Sequence, residues 1–272
     1  MSIRSILLIF FGFIISCFGQ DSIWTKIDDG LFYIEIHAIH ESNIGNNNIT
    51  VIRINPDLYS LILLSASELK VNGLTVKKWV ENYNLIGAIN AGMYQSDYKS
   101  NVGYMKNYSY INNSKLYEKY FSITAFNPID STASPFRIFD SDETDINQIK
   151  KSYNTIIQNL RLIKHPGLNK WSKQNRRWSE AALGQDKFGN ILFIFSRSPY
   201  SMYEFNQSLL SSPIHIECAQ HLEGGPEASL YLNYRGIEIK KAGSYETDFN
   251  ENDDNNEYWP IPNVIGVIKK LK

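Results

Sequence analysis

Cysteine is nearly absent from this chain. Only Cys17 and Cys218 occur in 272 residues. Once the first is cleaved away or lipidated, no intramolecular disulfide can form, and the core alone must hold the fold. Neither sign of charge is in excess, with 27 Lys and Arg against 28 Asp and Glu. No basic stripe marks a nucleic-acid surface, so no nucleic-acid partner is expected. The chain also lacks a phosphate-binding P-loop, a dinucleotide fingerprint and a Gly-x-Ser-x-Gly elbow. That sets aside nucleotide chemistry and one large class of serine hydrolases. Zinc spacing is missing too. His37 and His40 would point to opposite faces of a strand, and Cys218-x-x-His221 has no second pair to complete a tetrahedral site.

What is present begins with a leader. Arg4 precedes an apolar run over residues 6–18 that is too short to span a bilayer comfortably. This is the pattern of a signal peptide over residues 1–20, with the mature domain filling 21–272 and an exported destination: periplasmic, secreted or outer-membrane lipoprotein. Two processing routes are open. Ile14-Ile15-Ser16-Cys17 looks like a lipoprotein box that would lipidate Cys17, the only route to a membrane. Cleavage near Gly19-Gln20-Asp21 is favoured, because the two positions before Cys17 are bulkier than that box usually takes.

Beyond the leader the composition is globular: 43% hydrophobic and 20% charged, enough to bury a sizeable core. Alternation predicts strands over 31–39, 49–54 and 59–65. Thr75 reads as the cap of a short helix with Val76, Trp79, Val80 and Tyr83 inward. Strands follow over 85–89, 122–126 and 155–163, with residues 110–113 as a polar turn. A helix is expected after the acidic residues 140–145, a hairpin over 181–196 and a further helix over 202–210. Strands outnumber helices without alternating with them. The fold class is therefore α+β, one domain of mixed β-sheets flanked by helices.

The most informative stretch is Leu222-Glu223-Gly224-Gly225-Pro226-Glu227-Ala228-Ser229-Leu230. Adjacent glycines allow close backbone approach and positive φ, and Pro226 stiffens the exit. A rigid polar loop between buried segments suits binding or catalysis; it also suits a plain acidic turn. Upstream, Asn90-Ala91-Gly92 ends another buried run, and Asn101 follows in its loop. On the 155–163 strand, Asn159 and Arg161 share one face, which reads as a solvated edge or an anion ligand. Residues 169–178 place Lys170, Lys173, Arg176 and Arg177 between Trp171 and Trp178, a loop that is simply solvated or one that binds phosphate and stacks on a sugar.

Together these pieces resemble the phosphodiester glycosidase family. Residues 88–94 resemble its Asn-x-Gly segment, 179–186 its Ala-Ile-Gly strand, 222–230 its Asp-Gly-Gly-Gly-Ser segment, and 262–267 its closing Asn-x-x-Gly strand. In this chain Glu223 stands where the family usually has Asp, and Pro226 where it has a third glycine. The resemblance implies a hydrolase that cleaves a sugar 1-phosphodiester in glycan or cell-envelope polysaccharide metabolism. The catalytic set would be Glu223 as carboxylate, Asn90, and Arg161 on the phosphate. Gly92, Asn101, Arg177, Gly224, Gly225, Glu227, Ser229 and Asn263 would bind substrate, with Glu227 a possible second carboxylate. The partner is a glycan or sugar phosphate. No cofactor is required, although the acidic residues 250–255 could offer oxygen ligands to a divalent cation such as calcium. The alternative is a glycan-binding envelope protein that keeps the pocket without the chemistry.

Overall fold

Alternating apolar residues along most strands demand a partner surface on at least one face, and three sheets supply it to one another. The computed structural model describes residues 23–271; the leader and Cys17 lie outside them. The first sheet has eight strands, in the order Thr25–Asp28, Leu31–His37, Asn48–Ile54, Ile191–Tyr200, Trp178–Asp186, Ile216–Gly224, Arg161–Lys164 and Leu168–Asn169. The second runs Tyr110–Asn113, Met105–Asn107, Tyr153–Asn159, Ser122–Pro128, Phe136–Asp140. The third runs Ile237–Ala242, Ser229–Tyr234, Gly87–Asn90, Asn263–Lys269, Tyr59–Ser65. Ile52 and Phe193 from the first sheet, Phe126 and Ile157 from the second, and Ile89, Leu230 and Ile265 from the third meet in one buried cluster. The α+β reading therefore holds. Pairings between these strands are antiparallel, for example Ile89 with Leu230 and Ile265.

Helices cover the sheets where the sequence places caps. Thr75 accepts a hydrogen bond from the Lys78 N–H and starts Val76–Asn82. Trp79 of that helix is buried and donates its indole N–H to the Ile261 carbonyl at 3.0 Å. Met202–Leu210 opens with a reciprocal capping box between Ser201 and Glu204. Asp145 caps Ile146–Ser152.

Three departures from the sequence expectation bear on the site. Residues 110–113 form an edge strand rather than a turn, and Phe136–Asp140 is a strand that sequence reading left out. More consequential, the expected strand over 155–163 is two strands in different sheets. Asn159 pairs with Ser122 in the second sheet, whereas Arg161 pairs with Gln220 in the first. Leu160 is the hand-over, its carbonyl accepting from the His221 N–H at 2.9 Å. Asn159 and Arg161 therefore do not share a face of one strand.

The polar run over 247–257 is a pinned strap. Arg197 donates through Nε to Asp253 Oδ1 at 2.7 Å, through Nη2 to the Asp253 carbonyl at 2.8 Å and through Nη1 to the Ala242 carbonyl at 2.9 Å. Asn255 donates to the Gly243 carbonyl at 2.6 Å. Asp253 is thus engaged with the protein itself. Among the described residues no group of three or more His, Cys, Asp or Glu side chains is gathered to hold a metal ion. Arg197→Ala removes three charge-assisted or backbone bonds from a half-buried group. The expected loss is about 1–3 kcal/mol, read as a lower denaturant midpoint with faster amide exchange confined to residues 243–255.

Candidate active site

Register brings the distant polar motifs together. Gly87–Asn90 lies between Ser229–Tyr234 and Asn263–Lys269, with Ile89 opposite Leu230 and Asn90 opposite Val264. Asn90, Ser229 and Asn263 therefore meet at one end of the third sheet. Buried Asn90 accepts from the Ser229 N–H at 2.8 Å and donates to the Glu227 carbonyl at 3.0 Å. It ties the exit of the acidic turn to the strand that precedes Gly92. The Ala91 N–H donates to the Asn263 carbonyl at 3.1 Å.

Gly92 is packed from both sides. A Cβ there would collide with the amide oxygens of Asn101 and Asn159. Both side chains are fully buried, and their orientation is fixed by donation. Asn159 Nδ2 donates to the Ala91 carbonyl, and Asn101 Nδ2 donates to the Gly103 and Gln158 carbonyls. That leaves Asn101 Oδ1 and Asn159 Oδ1 as buried acceptors without partners, and Asn263 Oδ1 likewise. Each such group costs about 1–3 kcal/mol. A cluster of them is a feature of function rather than of stability.

The turn itself grows from the centre of the first sheet. Ala182 faces His221 and Ala181 faces Glu223, so the Ile216–Gly224 strand carries one extra residue there, a bulge that re-aims Glu223. Gly224 lies against the Trp178 indole, where a Cβ would stand 2.9 Å from the ring. Gly225 has φ 63° and opens the short helix Gly225–Glu227 with Pro226 behind it. Glu246 fills the side on which Gly225 has no Cβ, its Oε2 2.6 Å from where that atom would be. Below the turn, buried His221 and Glu180 pair at 2.6 Å, and Trp178 Nε1 donates to the other oxygen of Glu180 at 2.6 Å.

Carboxylates dominate the electrostatics. Burial first, then the neighbouring charge of Glu227, hold the Glu223 carboxyl well above the usual range; Glu246 and Glu180 add to it. Burial, with Glu246 beside it, also raises Glu227, and burial raises Glu246. The phenols of Tyr94 and Tyr120 are pushed up by burial and by the charge of Glu223, Tyr120 to about 12. This arrangement favours the protonated form of a carboxyl group, as acid catalysis at a leaving oxygen requires.

Several of the anticipated residues gather here: Glu223, Gly224, Gly225, Glu227, Ser229, Asn90, Gly92, Asn101 and Asn263. The two arginines are each paired with carboxylates. Arg161 Nη1 is held by Asp140 at 2.9 Å and Asp142 at 2.8 Å, on the strand that the break at Leu160 hands to the first sheet. Arg177 is held by Glu204 at 2.6 Å beside the Met202–Leu210 helix. The Gly224 N–H is spent as well, donating to Glu223 Oε1 at 3.1 Å. Sequence reading missed Asn159 as Gly92's neighbour, and Glu180, His221, Glu246 and Gly243 around the turn. Only the double glycine hinted that other groups must crowd it. A cavity of about 460 Å³ lies elsewhere, lined by Asn46, Arg197, Lys240, Lys241 and Tyr258. Its cations already face carboxylates, Arg197 with Asp253, Lys240 with Glu238 and Lys241 with Glu35.

Comparison with known proteins identifies the family and the fold. A family model described as phosphodiester glycosidase matches residues 83–268, which contain every site residue named above. Among solved structures, a hypothetical protein from Synechocystis superposes with a TM-score of 0.60 at 14% identity, over 89% of this chain and 62% of that one. The chain thus spans less than two thirds of that relative's length. The catalytic domain of zebrafish N-acetylglucosamine-1-phosphodiester alpha-N-acetylglucosaminidase, auto-inhibited by its pro-peptide, superposes with a TM-score of 0.61 at 13% identity, over 90% of this chain and 86% of that one. At these identities the structures share the fold. No curated protein matches the chain in sequence.

Proposed function

This chain belongs to the phosphodiester glycosidase family, and from that premise we propose that it is an exported hydrolase that cleaves a sugar's anomeric bond in a glycan, with Glu223 as the acting acid. The observation that carries this reading is a half-buried carboxyl, Glu223, raised by burial and by Glu227 at the tip of a glycine turn. Such a group can donate a proton to the oxygen leaving the anomeric carbon while water attacks the other side. Glu227 is the second carboxylate, placed to steady positive charge on the sugar. Tyr94, electrostatically coupled to both, lies beside them. Asn90 and Asn263 hold the two backbone segments that frame the site.

Purified protein incubated with a panel of sugar 1-phosphodiesters and simple glycosides should release free reducing sugar from at least one. Binding of panel members with no release would overturn the hydrolase reading in favour of a glycan-binding envelope protein.

A further inference from the structure

We infer that Tyr98 and Tyr117 form a stacking subsite for a second sugar ring of the substrate, beyond the ring whose anomeric bond is cleaved at Glu223. The inference rests on the hydrolase reading above and names two residues that set its specificity.

Four tyrosines stand in two pairs on the loops next to the site. Tyr94 and Tyr98 have ring centroids 5.7 Å apart at 44°, and Tyr117 and Tyr120 4.5 Å apart at 52°. Within each pair one residue is sunk and the other open. Tyr94 and Tyr120 are half-buried, whereas Tyr98 is 70% exposed and Tyr117 44%. Two open rings beside a polar turn, each backed by another ring, make a surface suited to a ligand.

Both loops are anchored around Gly92. Tyr94 lies two residues beyond it, and the Val102 N–H closes that loop by donating to the Met93 carbonyl at 2.9 Å. Asn101 in the same loop packs its amide oxygen against Gly92, and so does Asn159. The neighbour of Asn159, buried Gln158, holds the second loop. It donates to the Tyr117 carbonyl at 3.0 Å and the Tyr120 carbonyl at 2.7 Å, and accepts from the Tyr117 N–H at 2.9 Å. Tyr98 has φ 55°, a left-handed conformation that costs a bulky residue; Asp97 braces it by accepting from the Lys99 and Ser100 N–H groups. The backbone under the rings is thus fixed before a ligand arrives, which lowers the ordering cost of binding. Asn90 ties the strand before Gly92 to the Glu227 carbonyl, so both loops border the acidic turn. Burial raises the Tyr94 and Tyr120 phenols most, and the charge of Glu223 reaches both.

The chemistry of the rings names the ligand. A pyranose has a C–H face edged by hydroxyls, and tyrosine matches it with an apolar face and a polar tip. Tyr94 and Tyr120, sunk beside Glu223, border the ring being cleaved. Tyr98 and Tyr117 stand one ring further out and face the next unit.

The test reads binding apart from turnover, in the full mature chain carrying Glu223→Gln. Calorimetric titrations at neutral pH use two probes. One is the methyl phosphodiester of N-acetylglucosamine 1-phosphate, with a single ring; the other carries glucose in place of the methyl group. The two-ring probe should bind at least about tenfold tighter, the size of a good aromatic contact. Adding Tyr98→Ala or Tyr117→Ala should close most of that gap, whereas Tyr98→Phe and Tyr117→Phe should keep it. Both residues are exposed, so denaturant midpoints should not move. Equal affinity for the two probes, no binding of either, or a gap that survives both alanine variants overturns the inference. The two readings fail separately. Release from both probes by the parent chain with equal KM would keep the hydrolase and sink the subsite. The expected order of affinities with no release from either probe would do the reverse.

Discussion

Glu223→Gln should lower sugar release by at least about a hundredfold and at the same time make the protein more stable at neutral pH. The first effect is the usual size for removing a general acid. The substitution keeps the shape of the side chain and an oxygen that can still accept from the Gly224 N–H. It removes only the titratable proton and the charge. Turnover within twofold of the parent would sink the assignment of Glu223.

The second effect follows from linkage. The folded Glu223 carboxyl is raised well above its ordinary value of 4.5, by burial and then by Glu227. The folded state therefore binds this proton more tightly than the unfolded state. Its contribution is fully present below pH 4.5 and is lost as pH climbs through the raised folded value. At neutral pH the wild-type protein bears the cost of an ion, or of a proton, that glutamine does not incur. The gain should be about 1 kcal/mol, or ~2–4 °C in Tm for a chain of this size. It should shrink toward zero near pH 4. Thermal scans of both proteins at pH 4 and pH 7.5 measure it. An equal gain at both pH values would mean that packing, not ionisation, is responsible. Glu227 and Glu246 are raised in the same direction, so the acid turn as a whole trades stability for a poised proton.

How far the sequence reveals this arrangement depends on the range of the cause. The strand Tyr59–Ser65 and the helix Met202–Leu210 have their observed bounds written locally, in strict alternation and in the Ser201–Glu204 box. Glu223, Gly225 and Asn90 stand out because a carboxylate beside glycines, or an amide before one, is rare at the end of an apolar run. Arg161 misled for a nameable reason. Alternation continues through Leu160, but the hydrogen bonds do not, since His221 and Ser122 recruit the two halves into different sheets. Asn159 and Arg161 then part company. Glu246 and Gly243 were invisible because nothing near them in sequence concerns the turn. They arrive at it only when Ser229–Tyr234 and Ile237–Ala242 fold back as a hairpin and the strap closes over residues 244–255. A site assembled by closure of the chain leaves its local residues legible and hides the distant ones.

Gly243 therefore offers the sharpest test of the assembled turn. It is buried; its N–H donates to the Ala228 carbonyl at 2.8 Å, and its own carbonyl accepts from Asn255. A Cβ at this position would fall on the Gly225 carbonyl oxygen, with Ala228 Cβ and Ser179 Cβ each only 3.0 Å away. The first obstacle is backbone, so no rotamer change relieves it. Either residue 243 withdraws and loosens the strap, or Gly225 moves and carries Glu223 and Glu227 out of place. Gly243→Ala is expected to cost about 1–3 kcal/mol, the range for overpacking a filled interior. It should also lower turnover by about a hundredfold, because a shift near 1 Å at reacting groups has that effect. Gly236→Ala is the control. Its φ of 80° strains alanine, but a Cβ there meets nothing within 4 Å. It should cost roughly 1 kcal/mol and leave turnover unchanged. If the two variants lose stability alike and both keep their activity, the turn is not held by Gly243, and the proposed geometry of the carboxylates fails with it. If only the first loses activity while still folded, as judged by circular dichroism and denaturant titration, the placement of Glu223 by a residue twenty positions away is established.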